Sequence, residues 1–181
     1  YDQSHYPITV NTSLEPAIAD ETADYAHSVI GCNMAIRRRL LERIGIFDPR
    51  FGAGAALRAA EDTDFAFRAL RAGCRIAYAP DVLLYHNHKR VTPDQVMRLR
   101  RNYTYGDGAL LMKHLVAGDS TAMRWFYWRL RSIAGRILRP TPWLPSRKGH
   151  ATLLLAFLAG SAAYLRCAVS GSPPSTQSRG G

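Results

Sequence analysis

Three acids fall within four positions, at Glu61, Asp62 and Asp64, directly after the Gly/Ala-rich run from Gly52 to Ala60. Carboxylates at the start of a helix are favoured by the amide dipoles there, and one facing a cleft can accept a proton from a substrate. The same spacing also has a purely structural reading. Capping, together with an Asp64 to Arg68 pair four residues apart, accounts for two of the acids, and by spacing alone this is the better account. A second candidate is His86, which ends a β-like run; its imidazole can ligate a divalent metal or bind a phosphate oxygen. Beside His88, Lys89 and Arg90 it reads equally as a surface residue. The third is a stretch in which Arg124, Arg129, Arg131 and Arg136 interleave with Trp125, Tyr127 and Trp128. Such a stretch suits an anionic lipid surface or single-stranded nucleic acid, or is a solvated basic face over an aromatic core.

The elements that must position these residues follow from periodicity and punctuation. Residues 1–27 read as loop, with an edge strand at Ile8 to Val10. Val29 to Ile36 is a short apolar strand-like piece broken by Gly31, and Arg37 to Ile44 a helix stopped by Gly45. The Gly52 to Ala60 run is expected to be a mobile loop. Glu61 to Ala72 is a helix whose Phe65, Ala66, Ala69 and Leu70 share a face, with Gly73 as its cap. Two β-like runs, Arg75 to Tyr78 and Val82 to His86, flank a turn at Ala79-Pro80-Asp81. Thr92-Pro93 starts a helix that runs to about Val116 and is bent at Gly106 and Gly108; Asp119 or Ser120 caps another through Leu138. Pro140 to Pro145 is a linker. Gly149 to Leu165, 17 residues without a formal charge apart from His150, predicts a buried or interfacial helix, since spanning a bilayer takes roughly 20 apolar residues. Ser170 to Gly181 has nothing to bury and is expected to be disordered.

Composition narrows the class. A chain of 181 residues with 47% hydrophobic residues is long enough for one ordinary domain and too apolar for wholesale disorder. Cys32, Cys74 and Cys167 make no C-x-x-C pair and leave one over, so a disulfide framework or a cysteine zinc site is not indicated. The first ten residues lack the features of a signal peptide, and without an initiator Met the numbering is expected to begin inside a longer or processed chain. The net charge of +10 is not uniform: residues 1–88 are slightly acidic, while residues 89–150 hold 13 Lys/Arg against three Asp/Glu. That asymmetry argues against a generally basic nucleic-acid binder and for one anionic partner at the later stretch.

The ordered series Gly31-Cys32-Asn33-Met34-Ala35-Ile36-Arg37-Arg38, Gly45-Ile46-Phe47-Asp48, Glu61-Asp62-Thr63-Asp64, Arg68, Gly73, Tyr78-Ala79-Pro80 and His86 resembles the C-terminal half of the catalytic domain of family 2 glycosyltransferases. These are inverting, GT-A-fold enzymes that use nucleotide-sugar donors. The resemblance covers about residues 28–88; Arg100-Arg101-Asn102-Tyr103 and Gly106-Asp107-Gly108 are similar to the helical extension of many bacterial members. It implies an α/β fold: a partial GT-A-like (nucleotide-diphospho-sugar transferase) domain at 1–90, a helical, basic extension at 91–169, and a tail at 170–181. It further implies that Asp62 is the general base on the acceptor hydroxyl and that Glu61 binds or orients the acceptor. Gly31 and Asn33 would line the acceptor or donor cleft, though a strand bulge explains Gly31 as well. His86 would meet the donor diphosphate or its metal, Mg²⁺ or Mn²⁺ in the complete enzyme. The family's own metal D-x-D lies upstream, so Asp62-Thr63-Asp64 is not assigned to it. The upstream nucleotide-binding half is missing from this sequence, which makes the chain either a part of a longer enzyme or a remnant that no longer catalyses.

Such an enzyme would move sugar to a glycan or lipid-linked acceptor, as in bacterial polysaccharide biosynthesis, and would sit peripherally on the cytoplasmic face of the membrane. The rival is a non-catalytic module binding anionic lipid or nucleic acid through the basic aromatic helices. Lipid is the preferred partner of that stretch because the family that the chain resembles often works on lipid-linked acceptors at the cytoplasmic leaflet, and because an apolar helix follows.

Overall fold

A computed structural model of the chain describes residues 13–21, 29–84, 92–139 and 146–170. These fall into two compact units. The first takes in the chain up to Asp48 together with Glu61–Thr92; the second takes in Pro49–Ala60 and everything from Pro93 onward. Residues 49–60 therefore group with the helical part of the chain, although by sequence they lie inside the 1–90 stretch.

In the first unit, β1 (Ala17–Ala19) pairs antiparallel with β2 (Ile76–Tyr78), Ala17 opposite Tyr78 and Ala19 opposite Ile76. The Tyr78 hydroxyl extends the attachment by donating to the Ser13 carbonyl at 2.8 Å. Helices α1 (Arg38–Ile44) and α2 (Glu61–Arg71) complete the unit. Both stop where the sequence supplies glycine at positive φ, Gly45 at 80° and Gly73 at 73°. The expected face of α2 is buried, and Phe67 and Asp64 are buried with it. Phe47 stacks on Phe65 at 4.9 Å between ring centroids, and Arg43 crosses from α1 to donate to the Ala72 carbonyl at 2.5 Å.

Three expectations fail here. Val29 to Ile36 forms no strand, because its polar groups are satisfied otherwise: the Asn33 N–H closes a turn onto the Ile30 carbonyl, and the Gly31 N–H is taken by a side chain. The described part of the second β-like run, Val82 to Leu84, is exposed and unpaired as a strand; the partner of β2 is the unforeseen β1. Gly52 to Ala60 is a packed segment, with Phe51, Leu57, Ala59 and Ala60 buried and the Leu57 N–H donating to the Arg50 carbonyl at 2.8 Å. The Ile8 to Val10 strand, the Pro140 to Pro145 linker and residues 171–181 lie outside the described residues.

The second unit is built on α3 (Pro93–Val116), α4 (Ser120–Leu138) and α5 (Arg147–Ser170). Asp119 caps α4 as its position before the helix suggests, accepting from the Thr121 and Ala122 N–H groups at 2.8 and 3.0 Å. At 24 residues α5 is longer than the 17 uncharged ones predict, and by length and composition alone it is long and apolar enough to cross a membrane. The glycines expected to bend α3 are points of close approach instead. A Cβ on Gly106 would lie 2.8 Å from the Ala59 carbonyl oxygen; one on Gly108 would collide with the Phe157 carbonyl, and one on Gly160 with that of Tyr105. Ser161 spans the same contact, its hydroxyl reaching the Gly108 carbonyl at 3.1 Å and the Phe157 carbonyl at 3.0 Å. α4 joins through Phe126, 5.1 Å from Phe157, and through Arg129, which pairs with Asp107 at 2.5 Å.

Because backbone faces backbone at Gly160, even one added methyl must push α3 and α5 apart. Gly160→Ala should lower the stability of this unit by about 1–3 kcal/mol, the usual range for overpacking, seen as a reduced midpoint of helical circular dichroism.

The segment 49–60 is strapped onto these helices by cations over rings. Arg58 lies 4.1 Å from the Tyr105 ring centroid, Arg50 5.2 Å from Tyr164, and Lys113 5.3 Å from Phe51. Arg58 and Ala60 hold φ values of 68° and 77°, a conformation that non-glycine residues sustain only where packing enforces it.

Candidate active site

On an α-helix successive residues are about 100° apart, so Asp62 and Asp64 project to opposite sides of α2. Their environments differ accordingly. Asp64 is 0% exposed, and its Oδ2 accepts from Arg68 Nε at 2.9 Å. The Arg68 guanidinium goes on to donate to the carbonyls of Ile44 and Ile46 at 2.7 and 2.8 Å, tying α2 to the end of α1. This is the predicted pair, and it gives Asp64 a structural task.

Asp62 is half-buried and its carboxylate is oriented from two directions. Oδ1 accepts from the Thr63 N–H at 2.7 Å and from the Thr63 hydroxyl at 3.2 Å. Oδ2 accepts from the Gly31 N–H at 2.8 Å, a bond across 31 residues of sequence. Gly31 has to be glycine for this contact, since a Cβ there would sit 2.7 Å from Oδ2. Each carboxylate oxygen offers about two lone-pair sites, so Oδ1 is saturated while Oδ2 keeps one site for a further donor. The arrangement is a carboxylate fixed in orientation, with one acceptor position of Oδ2 open.

Of the other expected site residues, Glu61 is half-buried at the first position of α2, one residue before Asp62. Asn33 is exposed, and its amide nitrogen donates to the Val82 carbonyl at 2.9 Å, which leaves Oδ1 as the atom able to meet a ligand. His86 and His88 lie outside the described residues. Gly31, expected to line the cleft by backbone approach, has its N–H engaged by the Asp62 carboxylate. The sequence reading passed over Thr63; the signal was an acid followed by a hydroxyl residue at a helix start, where a side chain readily caps the next N–H. Among the described residues no three of His, Cys, Asp and Glu converge as metal ligands, and the opposed projection of Asp62 and Asp64 keeps their D-x-D from chelating one ion.

The family model for glycosyl transferase family group 2 matches residues 13–169, which takes in both units and nearly the whole described chain. The chain belongs to this family. Two curated relatives, each named pre-mycofactocin glycosyltransferase, from Mycobacterium tuberculosis strains CDC 1551 and H37Rv, are 25% identical to it over 178 residues. The alignment covers 93% of this chain and 33% of each relative, so this family 2 chain spans about a third of the length of the relatives it matches. No solved structure matches it. An α/β nucleotide-sugar transferase fold is consistent with family 2 membership, and the described part of it is helix-rich with one two-stranded sheet.

Proposed function

We propose that this chain supplies the acceptor side of an inverting, GT-A-type glycosyltransferase, with Asp62 as the general base. The single observation that carries the reading is the Asp62 carboxylate, held by the Gly31 N–H on one oxygen and by Thr63 on the other, with one lone-pair site of Oδ2 open. A sugar hydroxyl is a poor nucleophile until its proton is accepted. In the proposed step the acceptor hydroxyl gives its proton to Oδ2 as its oxygen bonds to the anomeric carbon of a nucleotide sugar. The bond from that carbon to the diphosphate oxygen breaks, and the nucleoside diphosphate leaves with the electron pair. Attack from the side opposite the leaving group inverts the anomeric configuration. In this reading Glu61 and Asn33 Oδ1 would receive other acceptor hydroxyls on a glycan or lipid-linked sugar. His86 is reserved for the donor side. Mg²⁺ or Mn²⁺, which the family implies, finds no fitting ligand set among the described residues, so no step is assigned to it.

The test is transfer by the enzyme that carries this sequence together with a nucleotide-binding half. Incubation with nucleotide sugar and acceptor, followed by proton NMR of the anomeric signal, should give product of inverted configuration. Retention would overturn the assignment of a base, because a retaining route needs a nucleophile or an internal return in its place. No transfer at all, with lipid or nucleic-acid binding intact, would favour the non-catalytic module.

A further inference from the structure

The aromatic and cationic residues of α4 divide between two faces. One face is committed to the helical unit: Ala122 and Ile133 are buried, Phe126 meets Phe157, and Arg129 pairs with Asp107. The other is open, and its residues recur at helical spacing. Met123 is 60% exposed, Tyr127 64%, Trp128 50% and Leu138 76%, with Arg124 and Arg131 exposed among them. From Met123 to Leu138 this face runs about 22 Å along the helix. A basic face over an aromatic core would have shown the reverse, with the rings inside and the cations alone outside.

We infer that α4 docks the chain on an anionic lipid bilayer, lying in the headgroup plane on the face formed by Met123, Arg124, Tyr127, Trp128, Arg131 and Leu138. Neither α4 nor α5 contains an Asp or Glu, so nothing on these helices offsets the arginines, and an equivalent face on a second copy would repel this one. Anionic headgroups answer the arginines, Trp and Tyr suit the headgroup boundary, and the acyl region accepts Met123 and Leu138. Nucleic acid would answer the cations and rings but leave the aliphatic side chains exposed. α5 carries an exposed aliphatic row of its own, with Leu155 67%, Leu158 44%, Leu165 40% and Val169 88% exposed at spacings of three, seven and four.

The docking is peripheral even though α5 is long and apolar enough to cross a bilayer. The inner face of α5 is locked to α3 at Gly108, Tyr105, Gly160 and Ser161, and α3 carries Arg98, Arg100, Arg101, Asp107 and Lys113. Insertion would either strip α5 from that contact or draw these charges into hydrocarbon. The inference does not depend on the transferase reading.

Flotation of the 181-residue chain with vesicles tests it. Vesicles of phosphatidylcholine and phosphatidylglycerol in equal parts should bind the chain, pure phosphatidylcholine much more weakly, and salt near 1 M, where the Debye length is about 3 Å, should release it. Arg124→Gln and Arg131→Gln should each weaken binding by about fivefold, matching the attraction of one cation to an anionic leaflet. Tyr127→Ser with Trp128→Ser should weaken it while leaving the dependence on phosphatidylglycerol. Arg38→Gln with Arg75→Gln, an equal charge loss in the first unit, should change binding less than twofold. Equal binding to pure phosphatidylcholine, or equal losses from the two sets of arginines, would overturn the inference. So would tighter binding to oligothymidylate at the same salt. Retention through alkaline carbonate would mean that α5 inserts, and would overturn it as well.

Discussion

Asp62→Asn in the complete enzyme should lower kcat by about 10²- to 10⁴-fold, the usual worth of a positioned general base, with donor affinity close to wild type. The amide is nearly isosteric with the carboxylate: its carbonyl oxygen in place of Oδ2 can still accept from the Gly31 N–H, while its NH2 in place of Oδ1 costs the Thr63 N–H its acceptor and can donate to a turned Thr63 hydroxyl. What it loses is the ability to take the proton. Stopped turnover with intact nucleotide-sugar binding is therefore the expected signature, read from single-turnover rates and calorimetric titration of the same protein. Near-normal turnover with Asn at 62 would remove Asp62 from the chemistry.

Two residues along the same helix, the expected result changes kind. Asp64→Ala should destabilise the first unit by about 3–5 kcal/mol, as expected when one member of a buried ion pair is removed and the other is left behind. Arg68 has little freedom to escape, because its two remaining nitrogens are held by the carbonyls of Ile44 and Ile46. Asp64→Asn, which keeps an oxygen facing Arg68 Nε, should cost less. Urea unfolding followed by tryptophan-independent circular dichroism measures both, and activity should fall only with the folded fraction. A stable Asp64→Ala protein with lost activity would reverse the roles given to the two aspartates.

The parts of this structure legible in the sequence are those whose causes are local. Gly45, Gly73, Thr92-Pro93 and Asp119 mark helix ends by their own stereochemistry, and the helices lie where these residues put them. The Asp64 to Arg68 pair is legible for the same reason, since four residues is one turn. Where long-range contact decides, the reading falters. Ala17–Ala19 is three residues with no alternation, made a strand only by Tyr78 and its neighbours some 60 residues on. Gly106 and Gly108 look like helix weaknesses until the carbonyls of Ala59 and Phe157 are set against them. Asp62 stood out among three acids through family resemblance, while its partner across the site, the Gly31 N–H, is a backbone group and leaves no compositional trace.

The discontinuous build of the helical unit has a consequence during synthesis. Phe51 and Leu57 leave the ribosome early, yet the residues that hold their segment, Tyr105, Lys113 and Tyr164, come from much later in the chain. At about 5–20 residues per second, on the order of ten seconds separates the polymerisation of Phe51 from that of Tyr164. Throughout that interval the segment cannot reach its final packing, and two large apolar side chains stay available to chaperones or to wrong partners. The nascent chain can form α2 locally, but Arg58, held at positive φ just before Glu61, has the Tyr105 ring to pack on only after α3 exists. The approach to the acidic helix is thus among the last parts of the chain to mature, and a ribosome stalled ahead of α5 would hold a chain whose proposed base is already made while the segment leading into it is still unset.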